Sequence, residues 1–181
     1  MLVRKTSMEG LVELRPRIFE DERGLFFESY NEAIFESLGL PTGFVQDNQS
    51  FSVKGVLRGL HFQNRPYAQG KLVRVISGKV LDVAVDLREE SPTFGKYETF
   101  LLDAALHNMA YIPEGFAHGF VALEDSVFSY KCTNVYHKAS ESGIIWNDPD
   151  LDIDWGVSNP IISEKDQQLP VFQVLYPRIA V

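Results

Sequence analysis

Alternation with period two dominates the chain. Residues 71–87 (KLVRVISGKVLDVAVDL) read as two strands broken at Ser77-Gly78. In the second, Leu81, Val83, Val85 and Leu87 form an apolar face, while Val80, Asp82, Ala84 and Asp86 form a mixed one. Further strands are predicted at 44–51, 55–63, 97–102, 109–112, 117–123 and 126–135. Turns fall at Ser91-Pro92, Asp103-Ala104, Pro113-Glu114-Gly115 and Glu124-Asp125. Helical spacing is rare. Ile34, Phe35 and Leu38 share a face within 31–38, with Asn31 to cap the start and Gly39 to end it. A second short helix is expected to start near Ser163. Many short strands with regular turns predict an all-β sandwich or barrel, jelly rolls being one such solution. No repeat or long linker interrupts the pattern, so residues 1–181 are expected to form one domain.

Alternation also selects the polar side chains that face inward. In Val56–Gln63 it puts Leu57, Gly59, His61 and Gln63 on one face. His61 is then either a satisfied core histidine or a functional base. Arg58 has the opposite parity. It can share a cavity with His61 only if the strand bulges or twists near Gly59. Lys71 opens the next strand after the loop 64–70, and a hairpin there would set it beside the His61 strand. A solvated strand end is the commoner fate of a lysine. His118 follows the Pro113-Glu114-Gly115 turn, among glycines that suggest close backbone approach. A structural histidine bonded to backbone is the alternative. Tyr130 shares a face with Phe128 and Cys132 and should point inward, where packing plus one hydrogen bond is the usual role. Asp166 on its own reads as a surface acid.

Composition narrows the classes. With 45% hydrophobic and 12% aromatic residues, the 181-residue chain can bury a sizeable core. It has no apolar run of ~18 residues that would span a membrane. The opening MLVRKTSMEG lacks the apolar stretch of a secretory signal. The single cysteine, Cys132, has no partner for an internal disulfide, which fits a cytoplasmic location. A net charge of −8 argues against a nucleic-acid partner. An anionic ligand would need a local cluster of cations. There is no Gly-x-Gly-x-x-Gly, P-loop or Gly-x-Ser-x-Gly motif. His61 is followed by Phe62 and Gln63, so a His-x-His metal pair is missing, and His107 and His137 are isolated. A two-His-one-carboxylate set converging in space stays open at this level.

Five segments in order carry more information than any single residue. They are Asp21–Glu28 (DERGLFFE), Gln46–Ser50 (QDNQS), Gly55–Gln63 (GVLRGLHFQ), Ile112–Phe120 (IPEGFAHGF) and Ser163–Asp166 (SEKD). Together they closely resemble the dTDP-4-dehydrorhamnose 3,5-epimerase family of cupin-fold enzymes, over about residues 10–170. The resemblance implies a cupin-type jelly roll (a double-stranded β-helix) with a few short peripheral helices. It also implies a homodimer that exchanges N-terminal strands. The implied reaction takes dTDP-4-dehydro-6-deoxy-D-glucose to dTDP-4-dehydro-L-rhamnose, by epimerisation at C3 and C5 without metal or organic cofactor.

Position by position, His61 matches the family's proton acceptor, Asp166 the acid paired with it, Tyr130 the proton donor and Lys71 the lysine near the substrate carbonyl. Arg23, Glu28, Gln46, Asn48, Arg58, His118, Glu141 and Lys165 fall where the family contacts nucleotide or sugar. Tyr136 matches an aromatic that stacks on thymine. The residue types suit the chemistry. Histidine titrates near neutral pH, a lysine can stabilise an enolate, and a tyrosine is protonated and able to donate. Arg23, Arg58, Lys71 and Lys165 would form the cationic cluster that a diphosphate requires. Other readings are an epimerase acting at one carbon only, a non-catalytic nucleotide-sugar-binding cupin, and a metal-dependent cupin oxygenase or isomerase.

Overall fold

The computed structural model describes residues 1–177. In chain order the strands are β1 (Leu2–Lys5), β2 (Val12–Arg15), β3 (Phe19–Asp21), β4 (Gly24–Phe26), β5 (Gln46–Ser52), β6 (Leu57–Gln63), β7 (Lys71–Ser77), β8 (Lys79–Asp86), β9 (Tyr97–Asp103), β10 (Met109–Ile112), β11 (Phe116–Ala122), β12 (Ser126–Cys132) and β13 (Glu141–Gly143). Three short helices join them: α1 (Glu32–Ser37), α2 (Glu164–Gln167) and α3 (Phe172–Leu175).

One sheet runs β1-β2-β10-β7-β12-β5, and a second runs β13-β6-β11-β8-β9. From β5 onward the chain crosses repeatedly between the two: β5 lies in the first, β6 in the second, β7 in the first, β8 and β9 in the second, β10 in the first, β11 in the second and β12 in the first. This is the jelly roll that the resemblance implies. The hairpin β3–β4 stands apart from both sheets.

The crossings settle two placements. The strands either side of Ser77-Gly78 exist, but they are not a hairpin. β7 pairs with β10 and β12, whereas β8 pairs with β11 and β9. Gly78, at φ +84°, turns a corner between the sheets where a Cβ would meet Ser126. Likewise, the loop 64–70 carries the chain from the second sheet to the first. Lys71 therefore faces the His61 strand from the opposite sheet rather than pairing beside it.

Three clusters hold the molecule together. Between the sheets, Val73, Val75, Val80, Ala84, Phe100, Phe120 and Phe128 pack at one end. On the outer face of the second sheet, Leu57, Leu60, Val83, Val85 and Val121 meet Ile144, Leu151 and Trp155 from the C-terminal segment. On the outer face of the first, Leu14, Leu72 and Met109 are covered by Phe35 of α1 and by Phe44. Burial of such side chains contributes about 1.5–3 kcal/mol each. Both faces of β8 are therefore buried. Its mixed face looks inward, which puts Asp82 inside the roll at 0% exposure.

The predicted caps form. Asn31 accepts a hydrogen bond from the Ile34 N–H, and Ser163 accepts one from the Asp166 N–H at the start of α2.

Candidate active site

Beside the packed Phe120 and Phe128 the interior of the roll turns polar. There Ser50, Arg58, His61, Lys71, His118, Tyr130, Lys165 and Asp166 help line a cavity of about 490 Å³. A second recess of about 320 Å³ shares His61, Lys71 and Tyr130 with it and adds Gln46, Asn48, Gln69, Tyr136 and Glu141. Both volumes fall in the range of small-ligand sites.

A bulge makes the cavity wall. His118 pairs with His61, but two residues on Phe120 pairs with Arg58, so the β6–β11 register slips by one. Gly59 absorbs the extra residue at φ +127°. A Cβ there would lie 2.5 Å from Gly119 Cα, so only glycine fits. As a result Arg58 and His61 both face the cavity. The same slip corrects the simple alternation, because Leu57 turns to the outer core with Leu60.

His61 and Asp166 form a pair across 105 residues of sequence, with Nε2 2.8 Å from Oδ1. Asp166 is 4% exposed and not the surface acid that its polar neighbours suggest. Burial pushes its carboxyl up. Hydrogen bonds from the His61 ring and the Gly59 N–H outweigh this and hold it below the usual carboxylate range. With Asp166 bound at Nε2, the Nδ1 of His61 is the atom left to accept a proton.

The facing wall belongs to β12, β7 and β5. Cys132 pairs with Lys71 and Tyr130 with Val73, so Lys71 and Tyr130 are diagonal neighbours on the inward face. Burial lowers the pKa of the Lys71 ammonium, and nearby Cys132, Asp82 and Glu141 oppose that shift only through space. Burial raises the Tyr130 phenol and keeps it protonated. Along β5, Asn48 sits opposite Tyr130 and Gln46 opposite Cys132.

Around the second recess the polar groups brace one another. Gln46 Oε1 accepts from the Tyr136 N–H at 2.7 Å. The Tyr136 hydroxyl donates to Glu141 at 2.9 Å, and Glu141 pairs with Lys165 at 2.7 Å. Arg58 donates to Ser52 Oγ and to the Phe51 carbonyl and has no carboxylate partner among the described residues. It remains a free cation at the mouth of the site.

The structure thus brings His61, Tyr130, Lys71, Asp166, Gln46, Asn48, Arg58, His118, Tyr136, Glu141 and Lys165 to one pair of cavities. It does not bring Arg23 or Glu28 there. Arg23 lies on the β3–β4 turn, hydrogen-bonded to Asp21, and Glu28 accepts from Asn31. Sequence reasoning passed over Asp82, which bonds His118 at 2.7 Å, and Ser50, whose hydroxyl is buried without a partner among the described residues. A carboxylate among the apolar residues of β8 was the available signal for Asp82. Among the described residues, no group of three or more His, Cys, Asp or Glu side chains is arranged to hold a metal ion.

Fold and site together define a class, a cupin-type jelly-roll isomerase. Comparison with known proteins narrows it. The model of the dTDP-4-dehydrorhamnose 3,5-epimerase family matches residues 5–173, and the chain belongs to that family. It is 54% identical to the dTDP-4-dehydrorhamnose 3,5-epimerase of Methanothermobacter thermautotrophicus over 167 residues, 90% of each chain. The solved structure of that enzyme from Elizabethkingia anophelis superposes with a TM-score of 0.93 at 52% identity, covering 96% of this chain and 97% of that one. A Legionella pneumophila dTDP-6-deoxy-D-glucose-3,5-epimerase, solved in complex with dTDP-4-keto-L-rhamnose, superposes at 0.90 with 45% identity, covering 94% and 92%.

Proposed function

We propose that this chain epimerises dTDP-4-dehydro-6-deoxy-D-glucose at C3 and C5, giving dTDP-4-dehydro-L-rhamnose. The observation that carries the reading is one cavity with a base on one wall and a donor on the other. His61, oriented by Asp166, stands on β6, and Tyr130 stands on β12 of the facing sheet.

The C4 ketone acidifies the hydrogens on both flanking carbons. Nδ1 of His61 removes one, and Asp166 stabilises the imidazolium that forms. Charge moves to the ketone oxygen, where the Lys71 ammonium stabilises it. A preorganised donor of this kind supplies about 2.7–4 kcal/mol. Tyr130 then delivers a proton from the opposite face, and the carbon is inverted. Proton exchange with solvent returns His61 to the neutral base and Tyr130 to the phenol, and the same set then serves the second carbon after the sugar shifts in the cavity. No side chain in this scheme changes oxidation state, and each step moves only a proton.

Arg58 and Lys165 attract the diphosphate, and Tyr136, with Gln46 fixed behind it, meets the base. The chain acts as a homodimer. Leu2, Phe19, Leu25 and Phe26 are about half exposed or more, an apolar surface suited to a second copy. In that arrangement the β3–β4 arm carries Arg23 and Glu28 to the partner's nucleotide. The protein works as one domain in the cytoplasm, and no helix among the described residues is long and apolar enough to cross a membrane.

The test is incubation with dTDP-4-dehydro-6-deoxy-D-glucose and a stereospecific reductase, with the product read by NMR. An L-rhamno product supports the proposal. Inversion at one carbon establishes the monoepimerase alternative, and unchanged substrate rejects both.

A further inference from the structure

A second histidine–carboxylate pair stands beside the first. His118 is the direct cross-strand partner of His61, and its Nε2 lies 2.7 Å from Asp82 Oδ2. Asp82 is fully buried on β8, and its Oδ1 has no hydrogen-bond partner among the described residues. Burying a carboxylate inside an apolar sheet is unfavourable unless something is gained by it. The proton transfers described above do not use Asp82.

Its neighbours show what it does. The Lys71 ammonium interacts favourably with the Asp82 carboxylate through space. An ionised carboxylate can only accept hydrogen bonds, so His118 must donate through Nε2–H. Burial lowers the His118 pKa. Asp82 opposes that shift, while Lys71 and His61 add to it, and the net direction favours the neutral ring. A neutral ring with its proton on Nε2 has a lone pair on Nδ1. The His118 ring makes no other hydrogen bond among the described residues and borders the cavity. The cations there, Arg58, Lys71 and Lys165, are donors only. A polyhydroxy ligand also needs an acceptor.

We infer that Asp82 is a positioning residue: it fixes His118 in the Nε2–H form, so that Nδ1 accepts a hydrogen bond from a ring hydroxyl of the bound hexose. The inference rests on the epimerase reading for the identity of the ligand. It makes the inner wall selective for a hexose that keeps the hydroxyl so held, at C2 or at C3.

The tautomer is read directly on full-length protein labelled with ¹⁵N-histidine, with the His118 signals assigned by loss in His118→Gln. A pyridine-like Nδ1 and a protonated Nε2 at neutral pH are expected. An Nδ1–H form or an imidazolium would overturn the inference without any variant having to fold. Asp82→Asn, which keeps the shape, should move or mix those signals and lower kcat/KM about tenfold, the loss of one neutral hydrogen bond. The same variant is then compared with wild type by C5 deuterium exchange on the 2-deoxy and 3-deoxy analogues. The penalty should vanish on the analogue lacking the hydroxyl that His118 holds. An equal penalty on all substrates would overturn the inference, because Asp82 would then be structural only. Wild-type protein inactive on the parent substrate would instead reject the epimerase reading.

Discussion

Replacing Lys71 by methionine keeps most of the side chain's length and removes its charge. Lys71 is 9% exposed and has no hydrogen bond or ion pair among the described residues. Burial lowers its pKa in the folded chain below the ordinary 10.5. The unfolded chain therefore holds that proton more firmly. At neutral pH the ammonium opposes folding, and the opposition fades as pH rises through the folded value toward 10.5. Methionine fills the same channel without a charge to desolvate. A gain of about 0.5–2 kcal/mol is expected, at about 2–4 °C in Tm per kcal/mol for a chain of this size. Activity should move the other way. Loss of the cation at the enolate oxygen costs about 2.7–4 kcal/mol in the transition state, or 10²–10³ in kcat. Calorimetry and a reductase-coupled rate assay on the same preparation read both quantities. A variant that loses stability together with activity would make Lys71 a structural residue. One that keeps kcat within about threefold of wild type would remove it from the chemistry.

Three other substitutions separate the remaining roles. Tyr130→Phe should still take up solvent deuterium next to the ketone while epimerised product falls about 10²–10⁴-fold, and a normal product rate would exclude it as donor. Asp166→Asn keeps the shape but weakens a charge-assisted bond worth about 1.5–3 kcal/mol. kcat should therefore fall about 10- to 100-fold with little change in KM, and an effect confined to KM would contradict the pairing. Asp86→Asn tests the fold instead. Burial raises that carboxyl, but Arg88, Ser91 and Thr93 bond it and bring it down to about 2 from 3.8. Its contribution, about 2 kcal/mol, is complete above 3.8 and is lost as pH falls toward about 2. The urea midpoint of Asp86→Asn should therefore lie below wild type at neutral pH, and the gap should narrow in acid. A pH-independent gap would refute the assignment.

Period-two alternation made the inner strands legible, and the opposed parity of Arg58 and His61 required the bulge that Gly59 supplies. Alternation gives the face a side chain takes, not the sheet its strand joins. Ser77-Gly78 reads equally as a hairpin turn or as a corner, and here it is the corner. The strands β1 to β4 left no signature because they are three or four residues long, and several of their apolar side chains are exposed. Burial of Asp166 depends on a contact with β6, more than a hundred residues earlier, which no local pattern encodes. Only the resemblance drew attention to Arg23 and Glu28, and within one chain they remain outside the cavity.

The central claim is that His61 is the base. His61→Asn, incubated in D₂O with the 4-keto sugar and followed by NMR at C3 and C5, tests it most directly. Exchange at both carbons is expected to fall to the rate without enzyme, while binding of dTDP is retained. Wild-type-like exchange at either carbon would contradict the account.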